Sequence, residues 1–317
     1  MCTAINETNG RHSFGRTLDL ECSLGERVVI TPRRFPLRFR HGRELREHYA
    51  MIGTAHLEDG VPLYYDAANE AGLCAAALNF PNMAVYLPPT SGERCLASFE
   101  VIPRVLAAAK SVEEAARFLS TARITDESFS VNLPPSPLHW IFADKSASIT
   151  VEQGAGGLKI HDTPHGVLSN APDFASQTYN LERYLHIILG KESPEGMHSR
   201  GLADFGIPGD ASSGSRLVRA IFTKLRTIPV REKTAATSRL FHILDSVSQQ
   251  DGLTVAEDGR AVKTVYTSVI DTAALEYCFT TSENRRIRSV RLDSSLADGE
   301  ALLCYPMHSG EDILHLN

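Results

Sequence analysis

Cysteine occupies position 2, directly behind the initiator methionine. Loss of Met1 would leave one residue carrying both a thiol and a free α-amine. The thiol is the stronger nucleophile as thiolate, and its ordinary pKa is about 8.5. An α-amine titrates at about 7.7–8.0. It can therefore take the thiol proton near neutral pH, as a nucleophile-activating base must. Attack and base would then reside in one residue. Position 2 also suits a small buried hydrophobe, so the rest of the chain has to separate the two readings.

Other catalytic patterns are missing. The sequence has no G-x-S-x-G, P-loop, Rossmann glycine fingerprint or H-E-x-x-H. Its six cysteines (Cys2, Cys22, Cys74, Cys95, Cys278, Cys304) lie far apart with no C-x-x-C. This predicts free thiols, with Cys2 set apart by position and the other five filling the core. His139 and His242 lie in apolar stretches and are expected as hydrogen-bonded core residues. Neither a metal nor a cofactor is expected.

The net charge of −6 over 317 residues argues against nucleic acid as a general partner, since binding it requires a basic face. One basic tract runs through Arg33, Arg34, Arg38, Arg40, Arg43 and Arg46, with Phe35 and Phe39 between them. Basic residues interleaved with aromatics can bind single strands. The tract reads more simply as a solvated loop with packed phenylalanines, or as weak steering of an anionic substrate. No apolar run reaches the roughly 18 residues of a membrane span. No charged segment followed by an apolar one opens the chain, so a cytoplasmic location is expected.

The elements that must hold Cys2 begin with a hairpin. Thr3–Glu7 and His12–Leu18 have strand character, and Asn9-Gly10 between them is a type I′ turn signal. A two-residue turn there would set Cys2 opposite Thr17, place Asp19 diagonally on the Cys2 face and put Arg16 on the other face. Further strands are expected at 27–31, 51–57, 62–66, 72–79, 138–143, 148–152 and 158–161. A helical stretch is expected over 99–122, restarted by the capping box at Ser111–Glu114. Helical spacing recurs over 174–189, 216–225 and 238–247, and strands return at 262–270, 275–281 and 287–292. Strands, then helices, then strands point to antiparallel sheets covered by helices.

Several short segments resemble the choloylglycine hydrolases, the N-terminal-nucleophile hydrolases that include bile salt hydrolases and penicillin V acylases. They are Met1-Cys2-Thr3, Phe14-Gly15-Arg16-Thr17-Leu18-Asp19, Asn69-Glu70-Ala71-Gly72-Leu73 and Leu78-Asn79-Phe80-Pro81. Downstream come Leu138-His139-Trp140, Val151-Glu152-Gln153, Val167-Leu168-Ser169-Asn170, Pro208-Gly209-Asp210 and Ser215-Arg216. The resemblance implies one domain over 2–317, with Met1 removed. It implies an α+β fold, an αββα four-layer sandwich of two antiparallel sheets between helical layers.

By the same resemblance Cys2 is the nucleophile and Arg16 the arginine beside the thiol, where positive charge favours thiolate. Asp19 orients the N-terminal residue, and Asn170 lies near the α-amine and the tetrahedral centre. Asn79 is an oxyanion donor, and Arg216 a second active-site arginine. Leu18, Leu20, Leu133 and Leu138 are candidate walls of an apolar substrate pocket.

The implied reaction is amide hydrolysis through a thioester. The implied substrate is a bile salt conjugated to glycine or taurine, because the family position of Asn79 is an asparagine in bile salt hydrolases. Penicillin V acylase activity is the alternative within the family. A non-catalytic steroid- or acyl-binding protein that keeps Met1 is the alternative outside it. The stretch 190–207 is shorter than in the family's Gram-positive bile salt hydrolases, where it helps build a tetramer. A homo-oligomer is expected, with a tetramer left open.

Overall fold

β1 (Cys2–Glu7) and β2 (Ser13–Leu20) are buried on both faces, which places them inside a layered structure from the outset. The computed structural model describes residues 1–90, 94–190, 201–256, 258–307 and 310–317. After the first hairpin come β3 (Arg27–Thr31), β4 (Met51–Glu58), β5 (Val61–Asn69), β6 (Cys74–Asn79) and β7 (Arg94–Ala97). Helices α1 (Val101–Ala108) and α2 (Val112–Leu119) follow, then β8 (Ala122–Thr125), β9 (Leu138–Ala143), β10 (Ser148–Gly154), β11 (Gly157–Asp162) and β12 (Val167–Leu168). Next are α3 (Phe174–Glu182), α4 (Leu185–Leu189), α5 (Ser213–Arg226) and α6 (Lys233–Asp245). The chain closes with β13 (Thr254–Val255), β14 (Ala261–Asp271), β15 (Glu276–Thr281), β16 (Asn284–Arg291), α7 (Ser294–Ala297) and β17 (Leu303–Pro306).

One sheet runs β12-β1-β2-β14-β15-β16, with β13 added on β14. The other runs β11-β10-β9-β6-β5-β4-β3-β17. Both are antiparallel throughout. Three apolar clusters fill the three spaces between layers. Leu217, Ile221, Leu240 and Leu244 of α5 and α6 pack on Ile5 and Val269 of the first sheet. Cys2, Leu18 and Tyr266 meet Ile52, Leu78 and Ile141 between the sheets. Val105, Leu106, Ala115 and Leu119 of α1 and α2 cover Ala67, Trp140 and Phe142 of the second sheet. Each fully buried leucine or isoleucine contributes about 1.5–3 kcal/mol. The result is the expected αββα sandwich.

Local chemistry fixes the ends. Ser111 caps α2 by accepting from the Glu114 N–H at 3.2 Å, so the helical stretch does restart there. Glu114 reaches Lys110 N–H instead of closing the box on Ser111. Glu232 caps α6, which starts five residues earlier than its apolar spacing predicts.

The register of the first hairpin differs from the expected one. Cys2 pairs with Leu18 and Glu7 with Ser13, so residues 8–12 form a five-residue connection rather than a two-residue turn. The cause is tertiary. Gly10, at φ 103°, bridges to Val230, and a Cβ there would sit 2.5 Å from the Val230 carbonyl. Docking on that segment overrides the local turn signal. Six short elements also escaped the periodicity, namely β7, β8, β12, β13, α7 and β17, of two to four residues each.

His242 is a further correction. It lies on the outer face of α6 with 78% of its side chain exposed, because Leu240, Phe241, Ile243 and Leu244 already supply the buried stripe. All six cysteines are free, but Cys22 and Cys304 are exposed rather than core fillers. Cys22 follows the end of β2, and Cys304 lies on the edge strand β17.

The basic tract is a loop in which Arg33, Arg34, Arg38 and Arg46 pair with carboxylates. Arg33 pairs with Glu70 and Asp298, and Glu44 takes Arg38 and Arg46. Phe35 and Phe39 pack on the apolar cluster beneath. Among the described residues no helix is long and apolar enough to cross a membrane. Of the stretch 190–207, residues 191–200 lie outside the described residues, and Leu202–Asp204 form a 3₁₀ turn.

Candidate active site

The one-residue change of register alters which groups meet Cys2. With Leu18 opposite Cys2, Arg16 and Leu20 share its face and point between the sheets. Asp19 falls on the other face with Thr3 and Thr17, toward the helical layer. Both candidates still converge on Cys2, from opposite sides of the hairpin.

On the helical side, α5 delivers Arg216. Its first turn is set by Asp210, whose carboxylate accepts from Ser212 N–H (2.9 Å) and the Ser215 hydroxyl (2.6 Å). The Ser212 and Ser215 side chains, with the Ser212 N–H, hold the Asp210 pKa down to about 2. Arg216 is fully buried. Its Nη1 donates to the Cys2 carbonyl and to Thr3 Oγ1, both at 2.6 Å, and its Nη2 donates to Asn170 Oδ1 at 2.8 Å.

Asn170 Oδ1 also accepts the Cys2 backbone N–H at 2.6 Å. Asn170 Nδ2 donates to the Asn79 carbonyl at 2.7 Å. Gln177 Nε2 and the Ser213 hydroxyl hold the Asn170 carbonyl, which locks the loop between β12 and α3.

Asp19 is fully buried, 3.9 Å from Arg216 Nη1, and accepts from the Thr264 hydroxyl at 2.7 Å. Burial raises its pKa, against the opposing charges of Arg216 and the N-terminal ammonium. Burial likewise lowers that of Arg216, against Asp19. Such a pair gains little over a hydrophobic replacement but is costly to break. Met1 extends β1 along β2: its ammonium donates to the Asp19 carbonyl (2.5 Å), and its own carbonyl accepts from Asp19 N–H (2.8 Å).

Between the sheets, Arg16 is fully buried and wedges where β5 and β6 part. Their pairing stops at Asp66 and Ala76. The next carbonyls, Tyr65 and Ala77, both accept from Arg16 Nη1 at 3.0 Å, and Thr17 O accepts from Nε at 3.2 Å. Nη2 has no hydrogen-bond partner among the described residues. Burial opposes the Arg16 charge, but Cys2, Tyr266, Asp66 and Asp19 together outweigh it and raise its pKa.

Asn79 ends β6 with an exposed side chain that makes no hydrogen bond among the described residues. Of the proposed wall residues, Leu18 lies opposite Cys2, Leu20 borders the same apolar cluster, and Leu138 pairs with Asn79. Leu133 sits in a tight turn with Ser130.

Residues that sequence reasoning missed include Thr3, Thr17, Asp66, Gln177, Ser213 and Thr264. Thr264 reaches Asp19 across 245 positions, which no local pattern announces. Among the described residues no three His, Cys, Asp or Glu side chains group as metal ligands would.

Residues 2–305 match the family described as linear amide C–N hydrolases, choloylglycine hydrolase family. The chain is 42% identical over 318 aligned residues, 98% of each protein, to a protein named bile salt hydrolase/transferase from Lactiplantibacillus plantarum. Its fold superposes on the crystal structure of a C2A mutant of conjugated bile acid hydrolase from Clostridium perfringens. The TM-score is 0.91 at 29% identity, with all of both chains covered. With penicillin V acylase from Agrobacterium tumefaciens it shares the fold, at TM-score 0.79 and 21% identity, over 98% of this chain and 95% of that one.

Proposed function

The chain belongs to the choloylglycine hydrolase family of linear amide C–N hydrolases, and from that membership we propose that it is a bile salt hydrolase. It cleaves the amide bond of glycine- or taurine-conjugated bile salts through a thioester on Cys2. The observation that carries the reading is the convergence of Asn170 and Arg216 on the backbone of Cys2, with the Asp19 carboxylate 3.9 Å from that arginine. A structural cysteine has no need of a fully buried arginine on its carbonyl, backed by a buried carboxylate, and an asparagine on its N–H.

Removal of Met1 turns the Cys2 nitrogen into the α-amine. It takes the thiol proton, and the thiolate attacks the amide carbonyl. Arg16, on the same face as the sulfur, favours the thiolate by its charge. Asn79 donates its neutral amide to the oxyanion. The C–N bond breaks as the α-ammonium returns its proton to the departing glycine or taurine nitrogen. Water, deprotonated by the amine, then attacks the thioester. The C–S bond breaks, releasing the bile acid and restoring the thiol. Asp19 holds the ammonium, Asn170 Oδ1 orients it, and Arg216 fixes both.

Leu18, Leu20, Leu133 and Leu138 border the bile-acid site in this reading. A homo-oligomer and a cytoplasmic location belong to the same reading and rest on the family resemblance.

The test is a substrate panel on protein lacking Met1, with alkylated protein as control. Glycocholate and taurocholate are expected to yield free cholate. Cleavage of penicillin V alone would overturn the assignment.

A further inference from the structure

Behind Arg16 lies a buried polar cluster that the mechanism leaves unused. Asp66 of β5 is 3% exposed, and its Oδ2 stands 4.0 Å from Arg16 Nε. Three hydroxyls from the opposite sheet donate to this carboxylate: Tyr266 to Oδ2, and Tyr277 (2.5 Å) and Ser268 (3.4 Å) to Oδ1. Thr54 in turn bonds the Tyr277 hydroxyl at 2.6 Å.

The cluster is far richer than packing requires, because a buried carboxylate 4.0 Å from a guanidinium is not needed to hold it. Three carbonyls already fix Nε and Nη1. What the carboxylate changes is charge. Beside it, the arginine presents less net positive field to the sulfur on its own face of the hairpin.

We propose that Asp66 is a positioning residue of the reaction, a counter-charge held by Tyr266 and Tyr277 that acts through Arg16 to set the field at the Cys2 sulfur. The proposal rests on Cys2 being the nucleophile.

The groups that face this centre are known from each packed element. Asp19 shares the strand of Arg16, Tyr65 and Asp66 come from β5, and Tyr266 comes from β14. Tyr277 of β15 acts through Asp66, Cys74 of β6 faces Asp66, and Arg216 of α5 faces Cys2 and Asp19 from the helical side. Burial raises the Asp66 pKa against the opposing charge of Arg16, so loss of a hydroxyl donor tilts the carboxylate further toward its neutral form.

The experiment follows alkylation of Cys2 by iodoacetamide against pH, read by mass spectrometry of the N-terminal peptide, with bile-salt hydrolysis in parallel. In Asp66→Asn the midpoint of the alkylation profile is expected to fall by on the order of one pH unit, because thiolate is favoured once the anion is gone. Tyr277→Phe, a mild core change that folds if Asp66→Asn does not, is expected to move the midpoint the same way by less. An unchanged or raised midpoint in a folded variant would overturn the proposal. A purely structural role would lower the melting temperature and the active fraction without moving the midpoint. If wild-type Cys2 is inert and hydrolysis absent, the reading of the nucleophile fails instead, which separates the two.

Discussion

Arg216 and Cys2 meet at a single oxygen: Asn170 Oδ1 accepts from Arg216 Nη2 at 2.8 Å and from the Cys2 nitrogen at 2.6 Å. With Nδ2 spent on the Asn79 carbonyl, the orientation of the Asn170 amide is fixed on both ends. Once Met1 is gone, that oxygen is the acceptor that aims the α-amine. Asn170→Ala is therefore expected to lower kcat by about 10²–10³-fold, the range for losing one aligned polar group at a reacting centre. KM should change far less. Steady-state kinetics on glycocholate would check it, and a loss confined to KM would argue that Asn170 only shapes the pocket.

Met1 and activity should be mutually exclusive. The Met1 ammonium occupies the Asp19 carbonyl, and Cys2 is 3% exposed while Met1 precedes it. In a preparation with mixed N-termini, intact mass gives the processed fraction, and iodoacetate titration gives the fraction of active sites. The two fractions are expected to agree. Cys2→Ala should show no turnover even when fully processed, since the sulfur that attacks the amide is gone. Activity from an unprocessed chain would remove the amine from the mechanism.

Asn79 separates chemistry from folding. Its side chain is exposed and makes no hydrogen bond among the described residues, whereas its backbone is fixed by pairing to Leu138 and by Asn170. Asn79→Ala is expected to leave stability within about 0.5 kcal/mol. The same change should lower kcat by about 10²–10³-fold if the amide meets the oxyanion. Chemical denaturation and single-turnover kinetics on one sample would settle both. A variant with full kcat would pass the oxyanion role to backbone donors alone.

The sandwich was legible because alternation and helical spacing carry it. Ile5 and Ala4 face different layers, and Leu217, Ile221, Leu240 and Leu244 form stripes that only a sheet can cover. The six candidate catalytic residues were legible through motif order. Their faces were not. A single residue of register, decided by Gly10 docking on Val230, exchanged Arg16 and Asp19 between the two sides of the hairpin.

Some matched motifs turned out to be scaffolding. Asn69 ties its own turn to the carbonyls of Leu106 and Ala109 that end α1, and Glu70 anchors Arg33 and Ala50 N–H. Glu152 and His139 bond each other at 3.0 Å, His139 stacks on Phe80, and Glu152 accepts Phe174 N–H at the start of α3. They brace the segments bearing Asn79 and Asn170. The Asp66 cluster was invisible because Thr54, Asp66, Tyr266, Ser268 and Tyr277 lie on four strands, up to 223 positions apart, and none carries a local signature.

The hairpin that carries Cys2 should also report on acid. His12, at the far end of β2, donates from Nε2 to Asn6 Oδ1 (2.9 Å) and accepts at Nδ1 from the Thr272 hydroxyl (2.7 Å), an arrangement that suits the neutral ring. Burial is the main cause that lowers its pKa from 6.5 to about 4, against the weaker pull of Asp144 and Asp271. Between those values the unfolded chain binds a proton that the native chain refuses, so stability rises with pH across the window. The His12 contribution is complete above pH 6.5 and gone below about 4. Allowing for its partial exposure, it is on the order of 2 kcal/mol. Urea unfolding at pH 7, 5.5 and 4 is expected to show that decline in the wild type and a flatter one in His12→Gln, which has no ring to protonate. Equal slopes in the two proteins would assign the acid sensitivity to carboxylates that the fold holds below their ordinary range, such as Glu127 and Glu276, instead.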